Sequence, residues 1–171
     1  MTQFSLNQRQ INQVEQQTAY YIEQANQHLQ LNLSNIPIDF DLKGRTSGMF
    51  VVARDLIRIR YNQIIFSKYF EDALINTVAH EVAHYVVHSI WGINKVKPHG
   101  KEWKQVMTIF EVKPEVTSSY DVTDLPLHRQ KQFQYTCGCM FHQLSTTRHN
   151  KVQNKKAVYK CRKCSQSLCV V

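Results

Sequence analysis

Apolar side chains recur at helical spacing over residues 5–31, where Ile11, Val14, Tyr21, Ile22, Ala25 and Leu29 stand in a background rich in Gln and Asn. That period predicts one amphipathic helix whose task is packing. From Ile36 the period changes to alternation: Ile38, Phe40 and Leu42 are separated by polar residues, and residues 49–53 and 57–65 are rich in β-branched side chains. Two or three short strands are expected there, joined by turns, one of them around residues 44–48. A second helix is expected from about residue 71 to residue 89, ending near Gly92, whose missing Cβ suits a helix stop. Residues 93–100 read as a loop and residues 101–110 as a further helix stopped before Pro114. Beyond residue 131 the pattern gives short strands and turns around cysteines.

At ~100° per residue, Asn76, Thr77, His80, Glu81, His84 and His88 of the second helix fall within an arc of about 140°. Leu74, Val78, Ala79, Val82, Ala83, Val86 and Ile90 cover most of the remainder. A mostly buried helix that keeps one polar stripe suits an active site, whereas a solvated helix would be far less apolar. Within the stripe, His80-Glu81-Val82-Ala83-His84 puts two imidazoles one turn apart on one face, able to clasp a single ion, with Glu81 beside them. Burying two His and a Glu without a metal or other partners would be costly. A catalytic zinc takes three protein ligands and keeps one position for water, so a third ligand is needed. His88 lies about 12 Å farther along the helix than His80, too far to share an ion with it, and reads as a supporting polar residue. His99 sits in the loop before the next helix and can swing back, while Glu102 and Glu111 stay open as alternatives. The longer motif with a third His six residues after His84 does not occur, since that position is Ile90.

Composition alters the picture at the C-terminal end. The chain has 171 residues, 43% of them hydrophobic, enough to form a core without disulfide staples. Residues 1–124 carry twelve Lys and Arg against thirteen Asp and Glu, a net of −1, whereas residues 125–171 carry nine Lys and Arg and no acid, a net of +9. All five cysteines fall in that second stretch. A boundary is therefore expected between residues 124 and 125. No run of apolar residues is long enough for a membrane span, and residues 1–17 lack the apolar stretch of a secretory signal, so a cytoplasmic protein without membrane contact is expected. In a reducing compartment the clustered cysteines point to a structural zinc rather than disulfides. Cys161 and Cys164 have the spacing of one zinc-ribbon knuckle, but Cys137 and Cys139 have a single residue between them. The fourth ligand is then Cys139 or His142, with Cys169 left unpaired. Arg148, Lys151, Lys155, Lys156, Lys160, Arg162 and Lys163, uninterrupted by acids, point to DNA, single- or double-stranded, as a partner.

His80 to His84, the later His99-Gly100-Lys101-Glu102-Trp103 and a basic, cysteine-bearing tail with Arg148-His149-Asn150 together resemble the SprT family of zinc metalloproteases, related to the eukaryotic protease Spartan. The resemblance runs from about residue 50 to the end. It implies that His80, His84 and His99 hold a catalytic zinc and that Glu81 is the catalytic acid–base. Family ribbons commonly have two residues between paired cysteines, a pattern from which Cys137 and Cys139 depart. The expected fold is α+β: a zincin-like metalloprotease core of helices and a small sheet over residues 1–124, followed by a basic zinc ribbon over residues 125–171. The expected function is a zinc endopeptidase acting on protein substrates. Cleavage of DNA-associated or DNA-crosslinked proteins is suggested by analogy with the eukaryotic relatives. Tyr85 or Arg148 is the candidate second electrophile. A rival from another class is a nucleic-acid-binding zinc protein whose helix site is structural or vestigial. A hydrolase like peptide deformylase is a further rival, but it would need a metal cysteine upstream of the helix, and none precedes Cys137.

Overall fold

The computed structural model describes residues 4–53, 56–92, 95–127 and 131–171. Its contacts divide the chain into two units, Met1–Leu127 and His128–Val171. Helix α1 (Gln8–Leu29) opens with a reciprocal cap, in which the Asn7 side chain accepts from the Gln10 amide at 2.9 Å and the Gln10 side chain accepts from the Asn7 amide at 3.1 Å. The expected stripe of Val14, Tyr21, Ile22 and Ala25 is buried together with Thr18, whose hydroxyl donates to the Val14 carbonyl.

Three strands follow: β1 (Ile38–Asp39), β2 (Gly48–Ala53) and β3 (Leu56–Tyr61). Their order is β1-β3-β2, with β1 parallel and β2 antiparallel to β3, and Phe50 opposite Ile59. β2 is thus an outer strand. Directly after β3, Asn62 caps α2 (Gln63–Lys68) and donates to the carbonyls of Gly44 and Thr46, which folds the 44–47 turn back onto the sheet.

The expected second helix is present but not uniform. A short α3 (Phe70–Asp72) runs into a π-helical segment (Ala73–Thr77), in which the Val78 amide reaches back to the Ala73 carbonyl, and then into α4 (Val78–Trp91). Gly92, at φ 81°, ends α4 as expected, donating to the His88 carbonyl. α4 packs on α1, on β2 and on α5 (Lys101–Ile109), and its buried Val78, Val82 and Val86 form the centre of the core with Tyr61, Phe66 and Trp103. Beyond α5 the chain has no regular element as far as Leu127. Tyr120 stacks on Tyr69 at 4.7 Å, and Val122 and Leu125 are buried with Ile65, so the first unit keeps residues past 124 in its core.

In the second unit, β4 (Gln132–Thr136) lies between β5 (Phe141–Ser145) and β6 (Cys169–Val170), antiparallel to both. The expectation of strands and turns missed α6 (Thr146–Gln153). Its sequence has no buried stripe and few strong helix formers. It is tied to the sheet by His149, which stacks on Phe133 at 3.7 Å and bonds Tyr135 Oη at 3.0 Å, and by Val152, which packs against the small core. Tyr135, Leu144, Cys161 and Leu168 make a small core. Together the helices and two small sheets form an α+β architecture. Among the described residues no helix is long and apolar enough to cross a membrane.

Candidate metal centre

His80 and His84 project from adjacent turns of α4, and His99, just ahead of α5, is brought beside them by a turn in which the Gly100 amide donates to the Lys97 carbonyl. The three Nε2 atoms lie 3.1, 3.1 and 3.2 Å apart. A closed triangle of imidazole nitrogens is a poor hydrogen-bond arrangement, because each ring must donate and accept through one atom. It suits a shared cation well: bonds of 2.0–2.1 Å at tetrahedral angles put ligand nitrogens roughly 3.3–3.4 Å apart. The donor set and its spacing therefore fit a metal ion.

The surroundings prepare these rings. Trp103 lies against all three, with ring centroids 4.8, 5.9 and 4.9 Å from His80, His84 and His99, and its Nε1 donates to the His80 carbonyl at 3.3 Å. The Glu115 main chain also acts on His80, favouring its protonated form and so opposing the effect of burial. Burial, and then the neighbouring imidazoles, push His80 down to about 4 and His84 down to about 3, and burial lowers His99 as well. All three are thus neutral near pH 7, with lone pairs free for a cation.

Glu81 is 6% exposed, and its Oε2 accepts from the Phe50 amide on β2 at 2.7 Å. Burial lifts its pKa to about 8, against the opposing pull of that amide. His80, Glu81, His84 and His99 all border a cavity of about 650 Å³ that is also lined by β2 and by residues 113 and 115–120. Tyr120 stands in this wall, its hydroxyl donating to Asp72 Oδ2 at 2.5 Å and lying 3.3 Å from Thr77 Oγ1.

Glu102 and Glu111, the alternative third ligands, are outside the cluster of possible metal donors, which consists of the three histidines. His88 is also outside it, lining the cavity near Phe50 with its Nδ1 buried and unpartnered. Tyr85 does not serve as the second electrophile, because it is turned into the core and its hydroxyl donates to the Ser34 carbonyl at 3.1 Å. Arg148 belongs to the other unit, where it lies over the Tyr159 ring. The sequence reading missed the Phe50 amide, the Glu115 main chain and Tyr120. The first two are main-chain groups without a side-chain signature, and Tyr120 comes from an irregular segment without periodicity.

The second unit gathers Cys137, Cys139, Cys161 and Cys164 into one possible metal site. Cys139 Sγ lies 3.2 Å from Cys137 Sγ, 3.9 Å from Cys161 Sγ and 3.4 Å from Cys164 Sγ. One spacing is close to the roughly 3.8 Å expected for thiolates about a tetrahedral ion with 2.3 Å bonds, and two are shorter. The single-residue gap closes because Gly138 takes φ 86°, left-handed backbone that favours glycine, and its amide donates to Thr136 Oγ1. His142 stands beside the site, with Nε2 3.4 Å from Cys137 Sγ, and Cys169 is exposed on β6.

The SprT-like family profile matches residues 18–124. Protein SprT of Vibrio atlanticus is 38% identical over 146 residues, covering 84% of this chain and 83% of the relative. The protein of the same name from Vibrio parahaemolyticus is 39% identical over 132 residues, covering 77% and 76%. That of Glaesserella parasuis is 33% identical over 157 residues, covering 91% and 96%. No solved structure matches. With its profile matched from within α1 through the three histidines to Asp124, and with relatives alike over most of their length, the chain belongs to the SprT-like family.

Proposed function

We propose that the chain is a zinc-dependent endopeptidase with a zincin-like first unit and a zinc-ribbon second unit. The observation that carries this reading is the buried Glu81 carboxyl beside three convergent neutral imidazoles on the wall of a cavity. A purely structural metal site has no use for such an acid, and three protein ligands leave a coordination position open. Zinc bound there would supply Lewis acidity that polarises a scissile carbonyl and acidifies a water. The cation's charge would also favour the ionised form of the neighbouring Glu81 carboxyl, which takes the proton as the water's oxygen attacks the carbonyl carbon, then delivers it to the nitrogen as the C–N bond breaks. The outer strand β2 borders the cavity and offers main-chain partners to an extended peptide.

Glu81→Gln tests this reading. It should keep the metal of the first unit and abolish cleavage of an unfolded protein substrate, since a Gln side chain accepts no proton at neutral pH. His99→Ala should lower bound zinc by about one per chain from a total near two, measured by elemental analysis. Retained cleavage in the first variant, or unchanged zinc in the second, contradicts the assignment.

In the second unit, zinc on four thiolates would be structural and would supply folding free energy that its small core lacks. The same unit would hold the enzyme on DNA, making DNA-bound or DNA-crosslinked proteins the substrate class. Support comes from the +9 charge of residues 125–171 and from cations set over aromatic rings, Lys131 on Phe133 and Arg148 on Tyr159. Four to six phosphate contacts give a log–log salt slope of roughly −3 to −5 for oligonucleotide binding. A salt-independent affinity would remove DNA from the reading.

A further inference from the structure

Gly48 is buried on β2, and its φ lies outside the left-handed region, so the backbone does not require glycine there. The space around it does. A Cβ at this position would stand 2.7 Å from Glu81 Cγ, 2.8 Å from Glu81 Oε1 and 2.8 Å from Thr77 Cγ2, all closer than real Cβ contacts come. The Glu81 stem therefore runs through the volume that a side chain at 48 would fill. In doing so it reaches the Phe50 amide, two residues along the strand, at 2.7 Å. That amide faces away from β3 and toward α4, which is how an outer strand can offer a donor to a helix side chain.

We infer that Gly48 and the Phe50 amide are positioning groups for the acid–base of this site. The glycine opens the passage, the amide fixes Oε2, and Oε1 is left as the oxygen that takes and returns the proton. Both act through Glu81. The inference rests on the peptidase reading above, and it explains why a buried carboxyl that must move a proton is held by one donor at one oxygen. A second donor at Oε1 would compete with water for that oxygen and lower its basicity.

The test uses the full chain. In the metal-free protein, hydrogen exchange read by NMR should show the Phe50 amide protected in the wild type and exchanging at least about tenfold faster in Gly48→Ala. Glu81→Ala, which leaves Gly48 in place, should give the same acceleration and keeps the measurement decisive if Gly48→Ala does not fold. In the zinc-loaded protein, Gly48→Ala should bind as much zinc as the wild type and lower kcat by about 10² or more, the usual contribution of a placed acid–base, with KM within about twofold. Adding Thr77→Ser removes one of the crowded contacts and leaves both Glu81 contacts, so it should not restore kcat. Wild-type kcat in Gly48→Ala, recovery of kcat by Thr77→Ser, or an unprotected Phe50 amide in the wild type would each overturn the inference. Its failure is separable from that of the peptidase reading: an active Glu81→Gln sinks the reading itself, whereas an inactive Glu81→Gln beside a fully active Gly48→Ala sinks only the role of the glycine.

Discussion

Burying Glu81 sets the metal-free chain against itself over a definite range of pH. Its pKa is about 8 in the folded state against an ordinary 4.5, so between those values the folded chain holds a proton that the unfolded chain has released. Stability from this group is fully present below pH 4.5, falls as pH rises, and is lost above about 8, by at most ~1.4 kcal/mol per pH unit. His80 and His84 act in the opposite sense: with pKa values of about 4 and 3 against an ordinary 6.5, they cost stability only as pH falls below 6.5. Glu81→Gln should remove the first slope and leave the second. Calorimetry of the metal-free proteins should therefore find the variant more stable than the wild type at pH 8, with the gap closing toward pH 4.5. A gap independent of pH would show that Glu81 is not buried as an acid.

Among the elements, those whose information is local were the legible ones. The period of α1, the strands on either side of the 44–48 turn, the Gly92 stop and the His80–His84 pair could each be read from neighbouring residues, and His99 from its place ahead of α5. What could not be read depends on distant approach: the glycine under the Glu81 stem, the amide at its tip, and α6, tied to β4 by side-chain contacts of His149. Asn62 shows the difference within one residue. In sequence it is an unremarked residue within the apolar 57–65 run. In the fold it is fully buried, caps α2 through the Ile64 and Ile65 amides, and holds the Gly44 and Thr46 carbonyls with its amide group. Asn62→Ala should cost ~2–4 kcal/mol in urea unfolding, a lost cap plus carbonyls left without a donor. Asn62→Asp keeps the cap acceptor, loses the donors and should fall between. Equal stability of all three proteins would contradict this account.

Across the whole molecule, a nearly neutral unit with a nitrogen donor set is joined to a strongly basic unit with a sulfur one. Within the first unit, the π-helical segment is where distant parts meet. Tyr21 of α1 reaches the Ile75 carbonyl, Thr77 bonds Ser47 ahead of β2, and Asp72 and Thr77, five residues apart, both hold Tyr120. A π turn lodges one residue more than an α turn while the helix on either side keeps its direction. The chain should therefore tolerate shortening at this point and almost nowhere else along the helix. Deleting Ile75, which is 49% exposed, should convert the segment to ordinary α-helix, bring Asp72 and Thr77 to a spacing of four, and leave His80, Glu81 and His84 facing as before. Deleting Ala83 instead would swing His84 by about 100° and strand it from His80. Zinc content should survive the first deletion and fall by about one per chain in the second, and equal losses in both would show that the extra residue is not a spare one.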